Sequence, residues 1–140
     1  MKHKKILIAA GAVVLAVLLA GYVWWHLPTG FLQNVEPADV AQIEVFNGST
    51  GQRFVIEEDA DIEYIVRKIA DVKMRKREYS RVDGFTYSLS FTAADGRILE
   101  RFILNSADSI RDGNIAYEIA LETEEDPLCF YYIRDLEAAQ

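Results

Sequence analysis

A run of 20 residues without a charge, positions 6–25, constrains this chain more than any other feature. As an α-helix it measures roughly 30 Å at about 1.5 Å per residue, which matches the hydrocarbon thickness of a bilayer. Ten of its residues are Ile, Leu or Val, and each favours insertion by about 0.3–0.6 kcal/mol near the membrane centre. We therefore predict one transmembrane signal-anchor helix over residues 6–26, with His26 and Pro28 marking its end.

The residues that flank the apolar run predict its orientation. The basic tip, residues 1–5, contains Lys2, Lys4 and Lys5, and lysines on one side of a span favour the cytoplasmic side. Trp24 and Trp25 at the far end are typical of an aromatic anchor at the membrane interface. We expect a single-pass protein of the cell membrane, with its N-terminus in the cytoplasm and residues 27–140 outside.

A cleaved secretory signal is the alternative to an anchor, because a basic start before an apolar run describes both. Cleavage requires small residues at positions −3 and −1, and the nearest candidates pair Leu18 with Ala20 or Leu19 with Gly21. Neither pair is small at both positions. Tyr22 follows where a lipoprotein would have a cysteine. These features favour an uncleaved anchor.

Charge and cysteine content limit what the remaining 114 residues can be. All 22 acids but only 12 of the 15 basic residues lie there, so the formal net charge of this part is 12 − 22 = −10. Such a surface repels nucleic acid, which excludes it as a partner. The single cysteine, Cys129, excludes an internal disulfide and a cysteine-built zinc site. The length suits one small domain, residues 41–140, after a juxtamembrane linker over residues 27–40 that is rich in proline and glycine.

The first half of the domain shows two strand candidates and a helix. Residues 42–46 and 53–57 are rich in Val, Ile and Phe, and the Asn and Gly residues of 47–51 suit a hairpin loop. Asn47 also begins a glycosylation sequon, although a turn is the simpler interpretation. Residues 59–69 predict a helix that Asp59 caps, with a core face formed by residues at i, i+3, i+4 and i+7: Ile62, Ile65, Val66 and Ile69.

Two hairpins and a closing helix follow. Residues 86–105 alternate between polar and apolar around Asp95-Gly96, which predicts a two-residue turn and pairs Ala93 with Ile98 and Phe91 with Glu100. The same register pairs Leu89 with Phe102 and Tyr87 with Leu104. A second hairpin runs from residue 110 to 121. Asp126-Pro127 predicts the start of a helix whose core face contains Cys129, Tyr132, Ile133 and Leu136. The fold class is α+β, an antiparallel sheet with one or two helices packed on one face.

The chain offers little catalytic chemistry. Both histidines, His3 and His26, flank the apolar run, so the domain lacks histidine and with it Ser-His-Asp and Cys-His systems and histidine-ligated metals. No phosphate-binding glycine motif is present, and we predict no cofactor. Carboxylate-only hydrolysis remains open because residues 27–140 hold 22 acids.

Glu100 is the most unusual carboxylate, since the predicted register points it toward the apolar face opposite Phe91. A buried carboxylate there has a raised pKa and can act as an acid or bind a cation. The alternative is that a bulge or the end of the sheet turns it toward solvent. The sequence leaves both open.

The only basic cluster spans residues 73–77, with Arg81 beyond. As a strand it places Lys73, Arg75 and Arg77 on one side, a row suited to an anionic wall polymer, lipid headgroups or an acidic partner. The alternative is an edge strand protected from aggregation by its charges. Two further candidates are weaker. Asp108, Asp112, Asn114 and Glu118 depart from the EF-hand spacing, and Phe130 and Tyr131 lie beside the core face as a contact patch.

The arrangement of one N-terminal span, a short linker and a small domain with the Tyr87-Ser88-Leu89-Ser90-Phe91 and Asp95-Gly96 hairpin resembles small membrane-anchored exported proteins of Gram-positive bacteria. The resemblance covers most of the chain and implies location and fold, without assigning functional residues. We expect a membrane-anchored extracytoplasmic binding or regulatory module, whose partner is an envelope protein or an anionic wall polymer. The alternative is a carboxylate-dependent hydrolase that acts on cell-envelope material.

Overall fold

The computed structural model describes residues 1–79, 86–120 and 125–140. The first element is helix α1, Lys2–His26, which begins four residues before the predicted start and buries none of its residues. Within the described ranges, α1 is the one helix long and apolar enough to span a membrane. The chain leaves α1 in extended conformation at Leu27, one residue before Pro28.

A seven-stranded antiparallel sheet forms the body of the domain in the described residues, in the order β2-β1-β4-β5-β6-β7-β3. The strands are β1 Gln42–Asn47, β2 Arg53–Ile56, β3 Met74–Tyr79, β4 Tyr87–Thr92, β5 Ile98–Ser106, β6 Ser109–Asp112 and β7 Ile115–Ile119. β3 pairs with β7, not with β4, which follows it in the chain. Consequently β2 and β3 are the two edge strands.

Two α-helices besides α1 complete the α+β fold of the described residues: α2, Asp59–Ala70, and α3, Phe130–Ala138. A short 3-10 helix, Pro37–Asp39, precedes β1. The four predicted core residues of α2 are all buried, at an expected gain of about 1.5–3 kcal/mol each. Glu58, not Asp59, occupies the N-cap position, so the predicted cap is one residue late. Glu63 and Arg67 form an exposed pair at 2.9 Å, worth only about 0.3–0.5 kcal/mol.

The β4–β5 hairpin follows the predicted register except at its turn. Phe91 lies opposite Glu100, and the two pairs before it are also as predicted. The pairing of Ala93 with Ile98 is wrong: Ala93 closes the turn on Arg97, and Thr92 faces Ile98. Three residues form the turn, with Gly96 at a φ of 85°, and an extra residue in β5 then restores the register.

The other two hairpins are also present. β6 and β7 join through Gly113 and Asn114, and residue 121 of that prediction lies outside the described residues. In the loop between β1 and β2, the Asn47 Oδ1 accepts hydrogen bonds from the N–H groups of Ser49 and Thr50. Its Nδ2 donates to Glu137 at 2.9 Å, and the residue is only 8% exposed. Asn47 is therefore a turn residue.

Helix α3 begins later than predicted. Residues 127 and 128 form a turn, and Cys129, buried and at a φ of 61°, is the N-cap. The Asp126 carboxylate still accepts hydrogen bonds from the first-turn N–H groups of Tyr131 and Tyr132, at 3.2 and 3.0 Å. Asp126 caps the helix from three residues before its N-cap.

The core lies between one face of the sheet and the helices α2 and α3. It takes alternate residues of the strands, among them Val45, Leu89, Phe91 and Leu104, while Ser90 and Arg101 pair with each other on the opposite, polar face. Phe91 and Phe102 stack at 5.5 Å between ring centroids. Three further core residues come from the segment predicted as a linker: Phe31, Leu32 and Val40.

Candidate functional site

The segment after α1, predicted as a juxtamembrane linker over residues 27–40, is packed into the domain. Thr29 and Met74 exchange two backbone hydrogen bonds of 2.7 Å, so this segment pairs with the outer edge of β3. The Phe31 ring lies 5.2 Å from the rings of Phe102 and Tyr117. The buried aromatic area of Phe31 stabilises this packing. We name residues 28–40 the junction segment.

Glu100 ties the junction segment to the sheet. Its Oε2 accepts a hydrogen bond of 2.6 Å from the N–H of Leu32, which is 1% exposed and has a φ of 60°. Burial raises the pKa of Glu100, the Leu32 N–H opposes that shift, and the negative charge of Asp112 adds to it. The predicted pairing of Glu100 with Phe91 is confirmed. The hydrogen-bond partner of the Glu100 carboxylate is a backbone amide.

Two grooves lie on either side of the junction segment. The α2 groove, about 1410 Å³, is bounded by Leu32 and Val35 on one side and by Tyr64, Arg67 and Lys68 of α2 on the other, and it reaches Lys73. The turn groove, about 750 Å³, lies between the junction segment and the β4–β5 turn. Four of its ionisable lining residues are Asp39, Asp95, Arg97 and Glu100. The α2 groove combines apolar walls with charged rims, which suits a ligand or partner.

The structure divides the basic cluster among three environments. Lys73 lines the α2 groove. Arg75 and Arg77 share the carboxylate of Glu118, at 2.9 and 3.9 Å. Lys76 lies over the Trp24 ring at 4.3 Å and donates to the Trp24 carbonyl at 3.1 Å. The predicted strand and its edge position are present, and Arg77 is the extra residue of a bulge. Arg81 lies outside the described residues.

Comparison with family models, with curated proteins and with solved structures gives no match.

Two tyrosines tie α3 to its neighbours. Tyr132 donates to Asp61 of α2, and this hydrogen bond, with burial, raises the pKa of Tyr132 to about 12. Tyr87 of β4 donates to Glu137 at 2.7 Å, and burial followed by this hydrogen bond raises the pKa of Tyr87. Both hydroxyls stay protonated at neutral pH and act as structural donors.

Two of the four calcium candidates have other partners. Asp108 accepts a hydrogen bond from Ser106 at 2.6 Å, and Glu118 pairs with the two arginines. Among residues 1–79, 86–120 and 125–140, no group of three or more His, Cys, Asp or Glu is arranged to hold a metal ion. Phe130 packs against Tyr87 at 5.5 Å and is half-buried, whereas Tyr131 is exposed.

The sequence did not predict the packing of the junction segment or the pairing of Glu118 with two arginines. The signal for the segment is the adjacent pair Phe31-Leu32, two large apolar residues between Gly30 and Gln33. Gln33 confirms the packing, since its side-chain amide donates to the Ala70 carbonyl at the end of α2. Glu118 carries no signal of its own, because its arginine partners lie 41 and 43 positions away in the chain.

Proposed function

We propose that this protein is a single-pass membrane-anchored binding module, in which α1 crosses the membrane and the domain lies outside the cytoplasm. The observation that carries the proposal is the docking of the domain on the end of α1. Thr29 pairs with Met74, and Lys76 covers Trp24, five residues earlier in the chain. These contacts hold the grooves at a fixed distance from the span. Three lysines before the span favour the outward orientation.

The α2 groove is the surface that we assign to the partner. Its size, about 1410 Å³, exceeds what a few ordered waters fill. Its walls include Val35 and Tyr64. Tyr64 keeps 42% of its surface exposed, and its ring lies 4.4 Å from the ring of Tyr132. A fixed, amphipathic aromatic ring of this kind is a typical contact point in protein interfaces.

The proposed role is non-catalytic. Glu100 lies in the turn groove, but its Oε2 is bonded to the N–H of Leu32. An acid or nucleophile needs its oxygens directed at a substrate, whereas this oxygen holds the chain to the sheet. The Glu100 carboxylate therefore has a structural role, which is to hold the junction segment in position.

Photo-crosslinking in membranes tests the proposal. A photoreactive amino acid replaces Tyr64 in the full chain, and a matched control carries it at Val55, which is 39% exposed on the edge strand β2. We expect one stoichiometric crosslinked protein or glycan from position 64 and none of that species from position 55. Equal products from both positions, or none from position 64, would contradict a partner site in the α2 groove.

A further inference from the structure

Two arginines of the edge strand β3, a strand that contacts α1, share one carboxylate. Arg75 and Arg77 approach the two oxygens of Glu118 through their Nε atoms, at 2.9 and 3.9 Å. A guanidinium that bonds through Nε retains terminal NH2 groups as further donors. The exposed fraction of the side chain is 60% for Arg75 and 63% for Arg77. The group has two positive charges and one negative charge.

The direction of β3 relates this pair to the span. The chain from Trp24 to Thr29 runs antiparallel to β3, since Thr29 pairs with Met74 and Trp24 contacts Lys76. Residues later in β3 therefore lie progressively nearer to α1. Arg77 follows Lys76, whose side chain contacts Trp24, so we place Arg77 near the level of Trp24. Tryptophan at the end of a span occupies the headgroup region, so Arg77 reaches the same layer.

We infer that Arg75 and Arg77 bind the phosphate of an anionic phospholipid headgroup in the leaflet that surrounds the outer end of α1. Guanidinium groups bind phosphate with paired, charge-assisted hydrogen bonds. Glu118 orients the two side chains, and Lys76 adds a third positive charge on Trp24. The local excess of positive charge contrasts with the value of −10 for residues 27–140. Lipid contact at this site orients the domain on the membrane.

This inference rests on the proposed anchoring of α1 but not on a partner in the α2 groove. A soluble phosphate polymer offers the same chemistry, but the position beside the span favours lipid. Lipid headgroups surround α1 at the level of Trp24 whenever the span is inserted.

Native mass spectrometry of the full chain, released from nanodiscs, tests the inference. The nanodiscs contain equal amounts of phosphatidylglycerol and phosphatidylcholine with identical acyl chains. Each basic side chain near an anionic surface strengthens binding by about fivefold. We expect wild type to retain phosphatidylglycerol preferentially, and the double variant R75Q/R77Q to lower that preference by about 25-fold. Higher ionic strength in the nanodisc buffer weakens the preference of wild type.

The matched control is R53Q. Arg53 is also paired with a glutamate, Glu44 at 2.7 Å, and is 66% exposed, but it lies on β2 at the opposite edge of the sheet. We expect R53Q to leave the preference unchanged. An equal loss in R53Q, or no loss in R75Q/R77Q, would overturn the inference. Failure of wild type to insert into nanodiscs would instead refute the anchoring. Soluble polyglycerol phosphate that displaces the lipid at equal phosphate concentration would overturn the assignment to lipid.

Discussion

The carboxylate of Glu100 accepts a hydrogen bond from the backbone N–H of Leu32, 68 positions earlier in the chain. This contact joins the segment after α1 to the centre of the sheet. It explains why a charged residue lies opposite Phe91 on the apolar face. It also satisfies the amide of a residue that is almost fully buried and has positive φ.

Replacement of Glu100 by alanine should destabilise the protein. The Leu32 N–H then loses its acceptor in a buried position, which costs about 1–3 kcal/mol. Urea unfolding of the detergent-solubilised full chain measures the change. As a control, E44A removes an exposed carboxylate whose pairing with Arg53 is worth about 0–1 kcal/mol. An E100A variant as stable as E44A would show that the Leu32 contact is dispensable.

The same carboxylate predicts a pH dependence. Burial raises the pKa of Glu100 in the folded state above its unfolded value. The folded state therefore binds the proton more tightly, and stability rises at low pH and falls as pH increases from the unfolded pKa through the folded one. E100Q removes this titration. As pH rises through that interval, we expect the unfolding free energy of wild type to fall relative to that of E100Q. A difference independent of pH would contradict the raised pKa.

Leu32 combines burial with a left-handed backbone, and the two effects oppose each other on substitution. L32A loses most of the buried side chain, about 2–5 kcal/mol, and keeps the strained φ of 60°. L32G loses slightly more apolar surface but relieves about 1–2 kcal/mol of left-handed strain. We expect both to destabilise the domain, with L32G equal to L32A or more stable. Thermal unfolding that ranks L32G well below L32A would contradict the strained geometry.

Asn47 and Glu137 form a hydrogen-bonded pair in which the amide and the carboxylate can be exchanged between the two positions. The Asn47 amide donates to Glu137, which also accepts from the Tyr87 hydroxyl. N47D places two carboxylates against each other and should cost about 1 kcal/mol or more. N47D/E137Q restores one amide and one acid, so we expect it to recover much of the loss. A double-mutant cycle without coupling would show that the pair does not interact.

Local patterns were sufficient for most of the secondary structure. The spacing of Ile62, Ile65, Val66 and Ile69 predicted α2 and its buried face, because helix periodicity survives packing. Strict alternation around Leu89 predicted the register of β4 with β5. The predicted turn is one residue too short, because Asp95-Gly96 fits two-residue and three-residue turns alike.

The remaining features depend on contacts between distant parts of the chain. Nothing in residues 73–77 indicates that β3 pairs with β7, a partner about 40 residues later. Phe31 and Leu32 form too short a run for a periodic signal, and only the finished sheet offers them a place to pack. For the same reason the partner of Glu100 could not be predicted, although its inward direction could.

Protease treatment of intact cells that carry a C-terminal tag on the full chain tests the central claim most directly. The account predicts a full-length protein of 15.9 kDa in the membrane fraction, with the tag removed by protease added outside the cells. A tag protected until the membrane is broken would place the domain on the cytoplasmic side. A soluble protein that begins after Trp25 would show that α1 is a cleaved signal, and either result would contradict the account.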